Sequence, residues 1–292
     1  MKDNHPNQDE LIIRAEQPED EELEPEELDE FKKLIKSSER VNMVVMGLEG
    51  VRSDTMMFIS FNPKSKKMDI ISLPRDTYYH RRGYDRLDKR KLNSVYGDHG
   101  ATGVKTVISD ILLDVPVHYY VTVTYKGAAA IIDSIGGVPV YIPKLMSYED
   151  PYESPPLKIH FEPGNYVLKG ADGVKFLRYR QASPGSGGMS YADGDLGRIK
   201  AQQEFIKAAF KKAIGLKLPS VASTAFKHVR TDMPLQNLLR YATGAAGINM
   251  ENVSMQVIPG ADRYQSGASY YFHDTEAVKE LLTRMYSEEE AN

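Results

Sequence analysis

The chain has no cysteine and no tryptophan among its 292 residues. Without cysteine there is no disulfide framework and no thiolate metal site. No apolar run approaches the length of a membrane span, and the N-terminus lacks the basic start and apolar centre of a secretory signal. The formal net charge of −4 argues against a general nucleic-acid binder, which carries a basic face. There is no GxxxxGKS/T loop, no HExxH and no GxSxG, so P-loop NTPase, zincin metalloprotease and α/β-hydrolase readings lack their motifs. The histidines are scattered, and none pairs at metal-ligand spacing. What is left is ordinary α/β composition, long enough for one large domain or two small ones.

Residues 1–36 read as an acidic, disordered tail, with a short helix through Leu28, Phe31 and Leu34-Ile35 docking onto the domain as the alternative. Glu16 to Glu30 is nearly all acid with two prolines, and too few apolar groups are present to offset the entropy of ordering it. A single α/β domain is expected over 37–288. Val41–Leu48 reads as a buried strand, with Thr55–Asn62 and Met68–Leu73 completing a meander. Val104, Val107, Ile108, Ile111 and Leu112 mark an amphipathic helix over 102–113. His118–Thr124 alternates as a strand. Lys126–Ile135 is apolar on most sides and is expected to be a well-buried helix, stopped by Gly136-Gly137. Pro143–Pro156 reads as irregular, and the Gly- and Ser-rich stretch Gln181–Gly194 as a mobile loop. A long helix runs from Asp195, with Leu196, Ile199, Gln203, Ile206 and Phe210 as its inner face. Later segments read as two more helices, a strand and a closing helix over 275–286.

The chemistry concentrates at element ends. Glu49, Arg52 and Asp54 flank the first strand turn, and Arg75-Asp76 follows the third strand. The basic run from His80 to Lys91 reads mostly as solvated loop, with Lys91 the one residue assigned to a site. Arg178 and Arg180 alternate, and Arg198 and Gln202 share a helix face one turn from Asp195. Guanidinium forks match phosphate oxygens, and a helix start adds unpaired N–H donors, so this pattern suits a polyanion such as phosphate or pyrophosphate. Carboxylates beside it suit a hard divalent cation, Mg²⁺ or Mn²⁺. The combination suits phosphoryl transfer, where positioning and charge neutralisation do most of the catalysis.

The ordered motifs resemble the LytR-CpsA-Psr family. They are Arg52-Ser53-Asp54-Thr55, Leu73-Pro74-Arg75-Asp76-Thr77, Lys91-Leu92-Asn93, Ile132-Asp133 with Gly136-Gly137-Val138-Pro139-Val140, Arg178-Tyr179-Arg180, and Asp195-Leu196-Gly197-Arg198 with Gln202-Gln203. This chain has Glu49 and Ala201 where the family usually has Asp and Arg. The resemblance implies a central mixed sheet flanked by helices, with an apolar polyprenyl pocket. It implies a Gram-positive cell-wall phosphotransferase on the extracytoplasmic face of the membrane, anchored by an N-terminal helix outside this chain. Such an enzyme moves a teichoic-acid or capsule-type glycopolymer from undecaprenyl pyrophosphate to peptidoglycan. Its partners are the lipid-linked donor, the peptidoglycan acceptor and the membrane surface, with no nucleic acid. By motif, Asp54 and Glu49 would hold Mg²⁺. Arg52, Arg75, Lys91, Arg178, Arg180 and Arg198 would neutralise phosphates. Asp195 would orient an arginine, and Gln202 would bind the phosphate region. Asp54, Arg52, Arg75, Arg178 and Arg180 would be catalytic, and the general base is left among Asp54, Asp76 and Glu49. A non-catalytic polyprenyl-glycan scaffold and a polyprenyl-pyrophosphate pyrophosphatase are the alternatives.

Overall fold

A computed structural model describes Ile12, Arg14, residues 25–215 and residues 218–287. The architecture is the expected α/β one, a central mixed sheet flanked by helices. By backbone contacts the chain forms two compact units. One holds Met1–Thr122, Thr231–Pro234 and Glu251–Asn292, the other Val123–Arg230 and Leu235–Met250.

The first unit starts with α1 (Pro25–Ser37), then β1 (Val41–Glu49), β2 (Arg52–Asn62), β3 (Lys67–Leu73), α2 (Val95–Ile111) and β4 (Tyr119–Thr124), where the chain passes onward. The second unit carries α3 (Tyr125–Ser134), β5 (Val138–Ile142), β6 (Met146–Asp150), β7 (Leu157–Phe161), β8 (Gly164–Leu168), α4 (Gly170–Arg178), α5 (Gly194–Gly215) and α6 (Leu218–Phe226). The chain returns through β9 (Val229–Thr231), contributes α7 (Leu235–Ala245) to the second unit, and ends in the first with β10 (Val253–Val257), β11 (Gly260–Gln265), β12 (Ala268–His273) and α8 (Thr275–Ser287).

The six-stranded sheet has the order β10-β3-β2-β1-β4-β9. β1, β2 and β3 form the expected antiparallel meander, and β10 joins β3 in parallel. Alternation sets the faces: Asn42, Val44 and Met46 are buried, while Val41, Met43 and Val45 are only partly covered. α2 packs against β2 and buries Val104, Val107, Ile108 and Ile111. It starts earlier than the apolar spacing indicated and is broken at Gly100, which adopts φ 63°. That is a left-handed conformation only glycine takes cheaply.

Residues 25–36 depart from the expected tail. They lie in α1, which packs with α8 and buries Phe31 at 3% exposure. Burying one aromatic ring recovers a few kcal/mol at about 25 cal/mol per Å², which the acidic composition alone did not reveal. Most of residues 1–24 lie outside the described residues. Among the described residues no helix is long and apolar enough to cross a membrane.

A buried polar network closes the sheet end beside α8. Asn42 accepts from Ser60 Oγ at 2.7 Å and from Tyr286 Oη at 3.2 Å, and its backbone N–H donates to His118 Nδ1 at 2.9 Å. Burial pushes the imidazole below its ordinary value, and the Lys105 charge adds to this. The unfolded chain therefore binds the extra proton first. Stability is complete above about pH 6.5 and falls as pH drops below it. Melting curves at pH 7.5 and 5.5 should show a larger acid loss for wild type than for His118→Gln.

The second unit corrects four readings. The segment 143–156 is not irregular throughout: β6 pairs antiparallel with β7, from Met146↔Phe161 to Asp150↔Leu157. The Gly-rich loop is tied to β6, with Ser183 N donating to Ser147 O at 3.0 Å and Met189 N to Leu145 O at 3.0 Å. Gly188 serves close approach, since a Cβ there would lie 2.9 Å from Ser147 N, while Gly185 and Gly187 take left-handed turns at φ 75° and 73°. Helix α3 is less buried than expected, with only Gly127 and Ile132 fully covered. On α5 the covered residues are Arg198, Ile199, Gln202, Phe205 and Ala213, while Leu196, Gln203, Ile206 and Phe210 are partly exposed. The buried stripe is shifted from the apolar one because two polar residues, Arg198 and Gln202, find partners inside.

Candidate functional site

In the first unit the sheet places the expected residues at one end. β1 and β2 meet in the turn 49–52, with Gly50 at φ 59°. Register then shifts: Gly47 faces Thr55 and Leu48 faces Ser53, so Asp54 is the extra residue of a β-bulge. A bulge re-aims a side chain that strict alternation would send to one face. Since Met56 lies opposite Leu73, the end of β3 comes to the same sheet end, followed by Pro74-Arg75-Asp76. Gly97 lets α2 come under the turn: a Cβ there would be 2.9 Å from Val51 O.

Arg75 Nη1 donates to Asp54 Oδ1 at 2.8 Å, with side chains 21% and 16% exposed. Lys91 Nζ lies 3.2 Å from Asp76 Oδ1 and 5.6 Å from the Tyr270 ring centre. Arg52 is more exposed and reaches Asp88 at 3.6 Å. Glu49 lies opposite Arg52 at the turn and is exposed. The basic loop is less solvated than expected. Arg81 is buried and donates to Lys89 O, Ser94 Oγ and Asp98 Oδ2 at 2.8, 2.8 and 3.0 Å, and its guanidinium lies 4.3 Å from the Tyr84 ring centre. Lys89 also bonds Asp98. Arg81 therefore organises the loop that presents Lys91.

No group of three or more His, Cys, Asp or Glu residues suited to a metal occurs among the described residues. Mg²⁺ needs no all-protein cage, because it is bound through one or two carboxylates plus phosphate oxygens and water. Asp54, whose Oδ1 accepts from Arg75, and the exposed Glu49 would be the carboxylates to hold it at this sheet end.

The second unit gathers the other expected residues. Asp133 caps α4, its Oδ1 accepting from Gly170 N at 2.8 Å. A Cβ on Gly170 would lie 2.3 Å from Asp133 Oδ2, so the glycine is needed for the approach. Removing the cap with Asp133→Ala should cost about 1 kcal/mol, read by denaturant unfolding. α4 ends at Arg178, whose guanidinium sits 4.2 Å over the Tyr125 ring. Glu153 takes both its terminal nitrogens, at 2.9 and 2.8 Å.

At the start of α5, Arg198 Nη2 is 2.8 Å from Asp195 Oδ1, and Arg180 Nε is 3.8 Å from the same oxygen. Arg198 is 6% exposed. Asp195 thus touches both arginines, with the nearer pair well shielded from water. Gln202 is also buried, and its amide donates to Leu177 O at 2.9 Å, closing the last turn of α4. That donor is committed to holding Arg178's helix.

Two residues were not singled out from the sequence. Glu153 lay in the segment read as irregular, and nothing local marked it. Tyr191 packs edge-on against Tyr179, centroids 5.8 Å apart, and burial pushes its hydroxyl up to about 12. The signal for it was Gly197: a Cβ there would lie 2.6 Å from Tyr191 Cβ, so the Asp-Leu-Gly-Arg glycine makes room for that ring.

Helix α6 carries Leu218, Val221, Ala222, Ala225 and Phe226 yet has no fully buried residue. Ile131 on α3, Ile206 and Phe210 on α5, and Val221 and Ala225 on α6 are likewise partly exposed.

Comparison with known proteins gives a consistent result. A sequence model of the LytR_cpsA_psr family matches residues 10–287. The polyisoprenyl-teichoic acid–peptidoglycan teichoic acid transferase TagU of Bacillus cereus is 30% identical over 260 residues, covering 85% of this chain and 78% of the relative. TagU of Oceanobacillus iheyensis is 26% identical over 269 residues, covering 88% and 79%. Among solved structures, Bacillus subtilis TagV superposes with a TM-score of 0.69 at 24% identity, covering 86% of this chain and 98% of that one. TagT bound to LI-WTA superposes with a TM-score of 0.65 at 18% identity, covering 92% and 94%.

Proposed function

The chain belongs to the LytR-CpsA-Psr family, and from that premise we propose that it is a transferase moving an anionic wall glycopolymer from a polyprenyl-pyrophosphate carrier to peptidoglycan. Relatives named as teichoic acid transferases support the reaction class. The observation that carries the reading is the fixed guanidinium group of the second unit, Arg178, Arg180 and Arg198, built on the family's own motifs. Arg178 and Arg198 are shielded, which suits guanidinium to spread phosphate charge, and Arg180, 44% exposed, is open to a ligand. The partly exposed apolar residues of α3, α5 and α6 support a lipid-chain site in the same unit.

In the proposed reaction a glycan hydroxyl oxygen attacks the phosphorus that carries the glycopolymer. The bond from that phosphorus to the bridging oxygen breaks, and polyprenyl phosphate leaves. A carboxylate takes the hydroxyl proton, with Asp54, Asp76 and Glu49 the candidates. The arginines hold the charge that spreads over the phosphoryl oxygens. Mg²⁺ held by Asp54 and Glu49 would supply further neutralisation of phosphate charge. The acceptor would lie on the outer side of the cell membrane, in the wall.

The test is a paired assay using a short-chain polyprenyl-pyrophosphate glycan and Mg²⁺, with and without peptidoglycan fragments. Wild type should transfer glycan only when the fragments are present, and Arg180→Ala should lose most of that activity. Equal release of polyprenyl phosphate without acceptor would instead identify a pyrophosphatase. Donor binding with no product under any condition would identify a scaffold.

A further inference from the structure

The position of Arg178 is set by its helix and by an aromatic ring. It ends α4, whose start is capped by Asp133 and whose last turn is closed by Gln202. Its guanidinium is stacked on Tyr125. Glu153 nevertheless fills its fork with two charge-assisted bonds of 2.9 and 2.8 Å, the geometry that a phosphate would use. Glu153 comes from the connection 151–156, beyond the last rung of the β6–β7 ladder at Asp150↔Leu157. Its neighbour Tyr152 is 97% exposed. The Glu153 side chain is 30% exposed against 14% for Arg178, so the carboxylate lies on the open side of the pair.

We propose that Glu153 is a specificity-determining residue, an internal anion that occupies the Arg178 fork and must be displaced before phosphate binds there. The inference rests on the phosphate-binding role given to Arg178 above. A tethered carboxylate competes at high effective concentration. A single phosphate has to displace it unaided. A pyrophosphate brings a second phosphate, with its own charge and oxygens, to the other guanidinium groups of the unit. Glu153 therefore selects ligands carrying two linked phosphates over single phosphates, and its return to Arg178 favours release of the monophosphate product.

Calorimetric titration of the full chain with inorganic phosphate and with geranyl pyrophosphate tests this. Glu153→Gln keeps the size and removes the charge, and Glu153→Ala is the second variant. Phosphate binding should tighten about five- to tenfold, as expected for loss of a partly exposed competing pair, and pyrophosphate binding by less. The ratio between the two ligands should shrink. Weaker binding of both would show that Glu153 positions Arg178, and unchanged binding that it is a bystander; either overturns the inference. The neutral double variant Glu153→Gln/Arg178→Gln separates this from the function itself. If geranyl pyrophosphate binds it as tightly as it binds Glu153→Gln, Arg178 is outside the phosphate site and the reading on which the inference rests fails. If the double variant binds weakly while the single variants match wild type, only the inference fails.

Discussion

On the metal-holding role proposed for Asp54, Asp54→Asn is expected to reduce glycan transfer about a thousandfold or more, because a cation that neutralises phosphate charge would contribute several kcal/mol to the transition state. The substitution keeps the shape of the bulge residue and its reach to Arg75, so the melting temperature should move little. Asp54 and Arg75 face each other at 2.8 Å with a fifth or less of each side chain exposed, so Asn still accepts the guanidinium bond. The measurement is initial rate against Mg²⁺ concentration for wild type and variant. A wild-type rate that ignores Mg²⁺, or a variant that keeps its activity, would remove Asp54 from the metal role.

Arg198→Met should produce the largest loss of stability of any site substitution. Arg198 and Asp195 have side chains only 7% and 18% exposed. Removing the cation leaves a carboxylate that water reaches poorly and that only the more exposed Arg180 still faces, at 3.8 Å, a poorly compensated charge that costs about 3 kcal/mol, or several degrees in melting temperature. Replacing both partners, Arg198→Met with Asp195→Leu, should recover most of that stability, since a buried pair and a well-packed apolar pair are often equivalent. Transfer activity should stay lost in the double variant. Thermal melts and transfer rates measured on the same preparations separate the two effects. If the double variant regained activity, Arg198 would have only a structural role.

The strands of the meander were legible because β-branched and apolar runs ended at clear turn residues, and α2 because its apolar spacing was regular. The motifs were legible because their residues lie within a few positions of each other. Other features were not. Phe31 docks α1, but a single ring among acids does not outweigh the composition around it. The loop after Arg180 looked mobile from its glycines, yet Gly188 permits the close approach that ties it to β6 and others only shape its turns. Arg81 looked like one more solvated cation, and only the fold brings Asp98 and Ser94 to it.

By itself the sequence determined the family, the alternation that builds the sheet, and the supply of arginines and carboxylates at element ends. These are local properties, set by side-chain chemistry and spacing along the chain. Only the tertiary structure decided which charges are partnered: Asp54 turned by a bulge toward Arg75, Arg198 buried against Asp195, Gln202 committed to the Leu177 carbonyl, and Glu153 seated in the fork of Arg178. Several of these partners lie more than twenty positions apart. Their distance is set by strand register and by where helices end, and the strength of each pair by how much water that packing excludes.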